Sequence, residues 1–202
     1  MKICFTGDSI SHGVDSGIRA PRTIGDLIAF QIKNTQCRNI CYPSDGIDEQ
    51  TTRWNQISES EKLEFDYVIS MNGNNDMNAS TDVSTLMGEY HTFFDMIIAD
   101  TKPSCKIIIC TMTPAYDVYI AQGEAWLTKR NEINEALRNE GVNAINRGNA
   151  YVSEHTTYLD DGEGSLKEEY WNNAGDHLHT NVAGRIIIAD AVVQKMRELK
   201  WI

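Results

Sequence analysis

Apolar and polar positions along this chain alternate between two periods, one of strands and one of helices. Ile3, Cys4 and Phe5 form a short continuous apolar run that predicts a buried strand, stopped at Gly7. Ile24, Leu27, Ile28 and Ile32 then recur at helical spacing, with Pro21 near the helix start. Residues 37–42 predict a second strand. It ends in the turn cluster Pro43-Ser44-Asp45-Gly46, and a polar helical segment follows through about Ile57. Asp66 to Met71 predicts a third strand, closed by Asn72-Gly73-Asn74-Asn75-Asp76. The clearest helical stripe is Val83, Leu86, Met87, Tyr90, Phe94, Ile97 and Ile98, with Asp82 placed to cap it.

Lys106 to Met112 contains another continuous apolar run, which fits a strand buried on both faces. Pro114 opens a loop, and a helix carrying Trp126, Ile133 and Leu137 is expected to end at Gly141. Val142 to Ile145 predicts a fifth, weaker strand. Residues 146–176 read as irregular and acidic, and a final helix is expected from near Asn181 to the C-terminus. Strand and helix alternate throughout, without repeat or linker. The expectation is an α/β fold: one domain over residues 1–202, a three-layer α/β/α sandwich around a central, mostly parallel sheet of about five strands, flavodoxin-like in type.

Composition narrows the function classes. The 202 residues suffice for one sizeable core, and 41% hydrophobic with 23% charged residues is ordinary globular usage. A formal charge of −11 argues against nucleic acid or an anionic membrane surface as the main partner. A local basic patch remains open, with Arg19, Arg22 and Arg53 as its candidates. No apolar run approaches the roughly 18 residues of a membrane span. The N-terminus lacks the pattern of a signal peptide, so a cytoplasmic location is the expectation. Five cysteines, an odd number, read as reduced and mostly buried thiols. Cys37 and Cys41 lack partners for a metal site.

In a parallel sheet the strand C-termini share one rim, where open α/β sheets place their ligands. Ser9, Gly46, Asn75 and the tetrad Asp176-His177-Leu178-His179 all fall on segments that reach this rim. A serine hydroxyl there becomes a useful nucleophile only with a base to take its proton and donors to receive the oxyanion. These blocks, in this order, resemble the SGNH hydrolases, also called GDSL esterases and lipases. Gly7-Asp8-Ser9 matches the family's serine block, Gly46 its second-block glycine, Gly73-Asn74-Asn75-Asp76 its Gly-x-Asn-Asp block, and Asp176 to His179 its Asp-x-x-His block. The resemblance spans residue 3 to about 195 and implies the SGNH type of the α/β sandwich.

The residue chemistry agrees. His179 would take the Ser9 proton and return it to the leaving alcohol, and Asp176 would orient the imidazole. The backbone N–H groups of Ser9 and Gly46 with the Asn75 amide would form the oxyanion hole. His177 is an alternative base. The Gly-x-Ser-x-Gly elbow of α/β-hydrolases is absent at Ser9. Asp8 and Asp76 read as loop braces. His12 reads as a wall of the pocket or an exposed polar residue. Tyr170 and Trp171 read as a substrate platform or as anchors of the long loop. The acidic 160–169 stretch reads as a solvated loop, a calcium site there lacking the full oxygen-ligand pattern.

The expected activity is therefore a serine esterase acting on a short-acyl ester, with O-acetyl groups on carbohydrate as the favoured substrate, through an acyl-enzyme and without metal or cofactor. The expected partner is a small-molecule or glycan ester, with no nucleic acid and no membrane insertion. Two rivals remain: a glycan-binding module that keeps the fold without turnover, and a metal-dependent hydrolase built on Asp176, His177 and His179.

Overall fold

In the computed structural model, which describes residues 1–15, 18–19, 22–77, 80–115, 121, 123–140, 150–173 and 176–202, the sheet is built around strand β1 (Lys2–Gly7). Its residues from Ile3 onward are buried, as the apolar run requires of a strand covered on both faces. A two-residue hairpin, β2 (Val14–Asp15) and β3 (Ile18–Arg19), stands apart from the main sheet. The main sheet adds β4 (Gln36–Asn39), β5 (Tyr67–Met71), β6 (Lys106–Cys110) and β7 (Ala150–Ser153) in the spatial order β4-β1-β5-β6-β7. Every neighbouring pair in it is parallel. The chain first steps outward from β1 to β4 and then returns to β5 on the other side. The strand order therefore reverses at β1, and the crevice above such a switch point is where this class of sheet holds ligands.

Helices cover both faces. Those named below are α1 (Ser9–His12), α2 (Ile24–Gln31), α3 (Ile47–Asn55), α4 (Glu59–Lys62), α5 (Val83–Asp100), α6 (Glu124–Glu140), α7 (Thr156–Leu159) and α8 (Val182–Glu198). One core joins Trp54 of α3, Tyr90, Phe93 and Phe94 of α5, and Trp126 and Ile133 of α6 to one face of the sheet. The other joins Ile24, Leu27 and Ile28 of α2 with Ile188, Val192 and Met196 of α8. The expected three-layer sandwich is the architecture observed.

Several boundaries differ from expectation. β4 ends as a regular strand at Asn39, short of residue 42. The Asn39 side chain accepts the Cys41 N–H, while the Ile40 and Tyr42 N–H groups still donate to the Phe5 and Gly7 carbonyls of β1. β6 ends at Cys110 because Asn134 Oδ1 accepts the Met112 N–H, while Thr156 donates to the Met112 carbonyl. Helix α2 starts at Ile24 behind a Thr23–Asp26 capping box, and Pro21 lies outside the described residues. The predicted strand at Val142–Ile145 also lies outside them. The strand described next to β6 is Ala150–Ser153, within the stretch expected to be irregular. That stretch also holds α7 and a 3-10 turn at Glu168–Tyr170. The helix expected to reach the C-terminus ends at Glu198.

All five cysteines are free, and only Cys37 is less than fully buried. Burial pushes the Cys37 and Cys110 thiols up to about 12. Among the described residues no helix is long and apolar enough to cross a membrane.

Candidate active site

Ser9 opens helix α1 directly after β1. Asp8 caps that helix by accepting the Ile10 N–H, and Gly13 closes it in the left-handed region at φ 71°. As the first helical residue, Ser9 has a backbone N–H that precedes the helix's own hydrogen bonds. Its side chain meets a residue 170 positions away: His179 Nε2 lies 2.8 Å from Ser9 Oγ. The Nδ1 of the same ring lies 3.0 and 3.1 Å from the two Asp176 carboxylate oxygens. A carboxylate can only accept, so Nδ1 carries the proton and Nε2 presents its lone pair to the serine.

The loop holding His179 is fixed from within and from outside. Asp176 Oδ1 also accepts the backbone N–H groups of Leu178 and His179. Burial raises the Asp176 carboxyl, but these N–H groups and the imidazole outweigh it and hold the group below the usual carboxylate range. Trp171 pairs with Thr180 in an isolated bridge, and the Asn172 N–H donates to the His179 carbonyl. The His177 ring packs against Trp171, the two centroids 3.9 Å apart. Trp171 is thus in contact with the loop, while its indole N–H is spent on the Leu166 carbonyl. Tyr170 lines a separate groove of about 630 Å³ with Tyr158, Asp190 and Lys195. Ser9, Asp176 and His179 are not among that groove's residues.

Gly46 and Asn75 approach from the loops after β4 and β5, which are cross-braced. One N–H of the Asn75 amide donates to the Asp45 carbonyl at 2.9 Å, leaving its second N–H for a ligand. Asp76 Oδ1 accepts the Ile47 N–H at 2.9 Å and sits where a side chain at Gly46 would be, 2.3 Å from an ideal Cβ. Glycine is required at 46 by this close approach, not by φ, which is −91°. The Gly46 N–H is already engaged: it donates to Glu49 Oε2 at 2.9 Å, the return half of a helix cap on α3. Gly73, with φ 110°, lets the next loop pass against the Tyr90 hydroxyl, which donates to the Asn72 carbonyl.

Two contributors were not singled out by sequence reasoning. Gln50 is fully buried and ties β1 to the loop after β4, accepting the Gly7 N–H and donating to Asp45 Oδ2. Its signal is a glutamine on the buried stripe Ile47, Gln50 and Trp54. Glu49 leaves a fainter one, an acid three residues past a glycine that begins a helix. His12, one turn after Ser9, has its Nδ1 2.8 Å from the Cys41 carbonyl. Asp8 and Asp76 brace loops as expected. Burial, followed by the nearby Asp76 charge, pushes the Asp8 carboxyl up to about 7, and burial also raises that of Asp76.

Among the described residues no three His, Cys, Asp or Glu side chains converge as a metal donor set. In the acidic loop, Asp160 and Asp161 turn their oxygens to the N–H groups of Gly162, Glu163, Gly164 and Ser165, and Arg130 pairs with Asp160.

A model of the GDSL-like Lipase/Acylhydrolase family matches residues 5–185. No curated protein matches the sequence. Solved structures do. A lipase/acylhydrolase from Enterococcus faecalis superposes with TM-score 0.74 at 22% identity, covering 98% of this chain and 95% of its own. A GDSL-like lipase from Bacteroides thetaiotaomicron gives 0.71 at 15% identity, covering 98% and 88%. An acetyl xylan esterase from Geobacillus stearothermophilus gives 0.67 at 18%, covering 96% and 94%.

Proposed function

The chain belongs to the GDSL-like Lipase/Acylhydrolase family, and from that premise we propose that it is a serine esterase cleaving short-acyl esters through an acyl-enzyme. The observation that carries this reading is the single imidazole of His179 bridging Ser9 Oγ and the Asp176 carboxylate. Ser9 Oγ attacks the ester carbonyl as its proton passes to His179 Nε2, and Asp176 stabilises the imidazolium that forms. The oxyanion is received by the Ser9 N–H, by the second N–H of Asn75, and by the Gly46 N–H once Glu49 releases it. The imidazolium then gives its proton to the departing alcohol. Water, activated by the same ring, hydrolyses the acyl-serine.

The favoured substrate is an O-acetyl group on carbohydrate. The similarity to an acetyl xylan esterase supports this choice. All the residues of the reaction lie in one catalytic domain.

The test is hydrolysis of p-nitrophenyl acetate and octanoate by wild type and Ser9→Ala. Loss of about three orders of magnitude or more in acetate turnover is expected for the variant, with acetate preferred over octanoate by the wild type. Equal residual rates, together with a Ser9 that resists an active-site phosphonate, would overturn the esterase reading in favour of a glycan-binding module.

A further inference from the structure

Tyr42 stands on the same rim as Ser9 and is 52% exposed, with contacts on its backbone and its ring. Its N–H donates to the Gly7 carbonyl, two residues before the serine. The Arg53 guanidinium lies over its ring, 4.1 Å from the centroid. Arg53 is itself fixed, because Asp45, which is buried, accepts from both its Nε and its Nη2. The His12 ring meets Tyr42 edge-on, with centroids 6.2 Å apart and planes at 63°. One face of the tyrosine is thus backed by a neutralised guanidinium, and the other is open to solvent.

The flank of the ring is polar in a particular sense. A carbonyl can only accept, so the His12 Nδ1 that contacts the Cys41 carbonyl carries the proton. His12 Nε2 is therefore an acceptor, and it has no partner among the described residues. A rigid aromatic face beside a fixed acceptor suits a ring that is apolar on its C–H face and hydroxylated at its edge. With the Arg53 guanidinium seated on one face of the ring, only the other face is left for a ligand. An acetyl group ends within two carbons of the bond that Ser9 attacks, so whatever reaches Tyr42 belongs to the alcohol.

We propose that the open face of Tyr42, with His12 Nε2 at its edge, is a stacking subsite for a pyranose ring in the alcohol portion of the ester. This rests on the esterase reading and specifies its substrate class. Arg53 is a positioning residue for the platform, and Asp45 positions Arg53.

The test compares kcat/KM for an O-acetylated xylo-oligosaccharide with that for p-nitrophenyl acetate in wild type, Tyr42→Phe and Tyr42→Ala. The ratio of the two is expected to fall about tenfold in Tyr42→Ala, mainly through KM on the sugar, and to stay near wild type in Tyr42→Phe. An unchanged ratio in Tyr42→Ala, with the wild type active, overturns the subsite and leaves the esterase standing. Binding without turnover is read separately by titrating xylotriose into Ser9→Ala with and without Tyr42→Ala, followed by NMR. Tyr42-dependent binding by a protein that cleaves neither ester keeps the platform and removes the esterase. Absence of both activity and binding removes the two together.

Discussion

Glu49 holds the backbone N–H of Gly46 at 2.9 Å, so a donor expected to face the oxyanion is occupied by the protein's own carboxylate. One N–H can serve one strong acceptor at a time, and a carboxylate beside the hole also repels the charge that develops there. Glu49→Ala is therefore expected to raise kcat on p-nitrophenyl acetate several-fold. It should also lower Tm by a few degrees, since the α3 cap loses its acceptor. A lower Tm with unchanged kcat would mean that Gly46 takes no part in the hole.

Asn75 donates one amide N–H to the Asp45 carbonyl, and under the proposed esterase mechanism the other would face the oxyanion. Asn75→Ala removes the donor and the anchor together. The expected loss is about 10² to 10³ in kcat, with KM changed far less, because the hole acts on the transition state. Steady-state kinetics on p-nitrophenyl acetate reads the split. A loss confined to KM would make Asn75 a substrate-binding residue.

Asp176→Asn keeps an oxygen for the Leu178 and His179 N–H groups but removes the charge that supports the imidazolium. A fall of about 10² to 10⁴ in kcat at pH 8 is expected. His177→Ala, whose ring packs on Trp171 instead of Ser9, should cost less than about tenfold. The reverse ranking would move the base to His177.

Asp8 gives stability a pH dependence of its own. Its carboxyl sits at about 7 in the folded protein against an ordinary 3.8, through burial and then the Asp76 charge. Between those values the folded chain keeps a proton that the unfolded chain has released. The contribution is full below pH 3.8, is lost as pH climbs to about 7, and is level above. His155 works the other way, because burial holds it down to about 4 and it favours the folded state as pH rises toward 6.5. The comparison must therefore be between variant and wild type. Asp8→Asn retains an oxygen for the Ile10 N–H and should gain Tm over wild type at pH 8 relative to pH 5. An identical difference at both values would remove Asp8 as the titrating group.

Much of this arrangement was legible in the residues. β1, β5 and β6 announce themselves as apolar runs buried on both faces. The parallel run of β1, β4 and β5 carries Ser9, Gly46 and Asn75 to one rim. β7 was not legible: its four residues follow no period, and what makes them a strand is the ladder with β6. The strand end at Cys110 was misjudged for a related reason, since the distant Asn134 side chain takes the Met112 N–H. At Asn39 the regular strand stops although the bonds to β1 run on through Ile40 and Tyr42. The four chemical blocks could be read from their order. The Glu49 cap and the Tyr42–Arg53–Asp45 stack could not, because each depends on how α3 meets the loop that precedes it.

Ser9 and the His179 imidazole that contacts it are 170 residues apart, the latter on a loop gripped by Trp171 and by the start of α8. α8 packs on α2, so the Ser9–His179 contact depends on the docking of these two helices. Under the proposed mechanism, turnover would therefore report that α2 and α8 have packed together, and a chain in which they have not would hold the Ser9 hydroxyl without the imidazole that activates it.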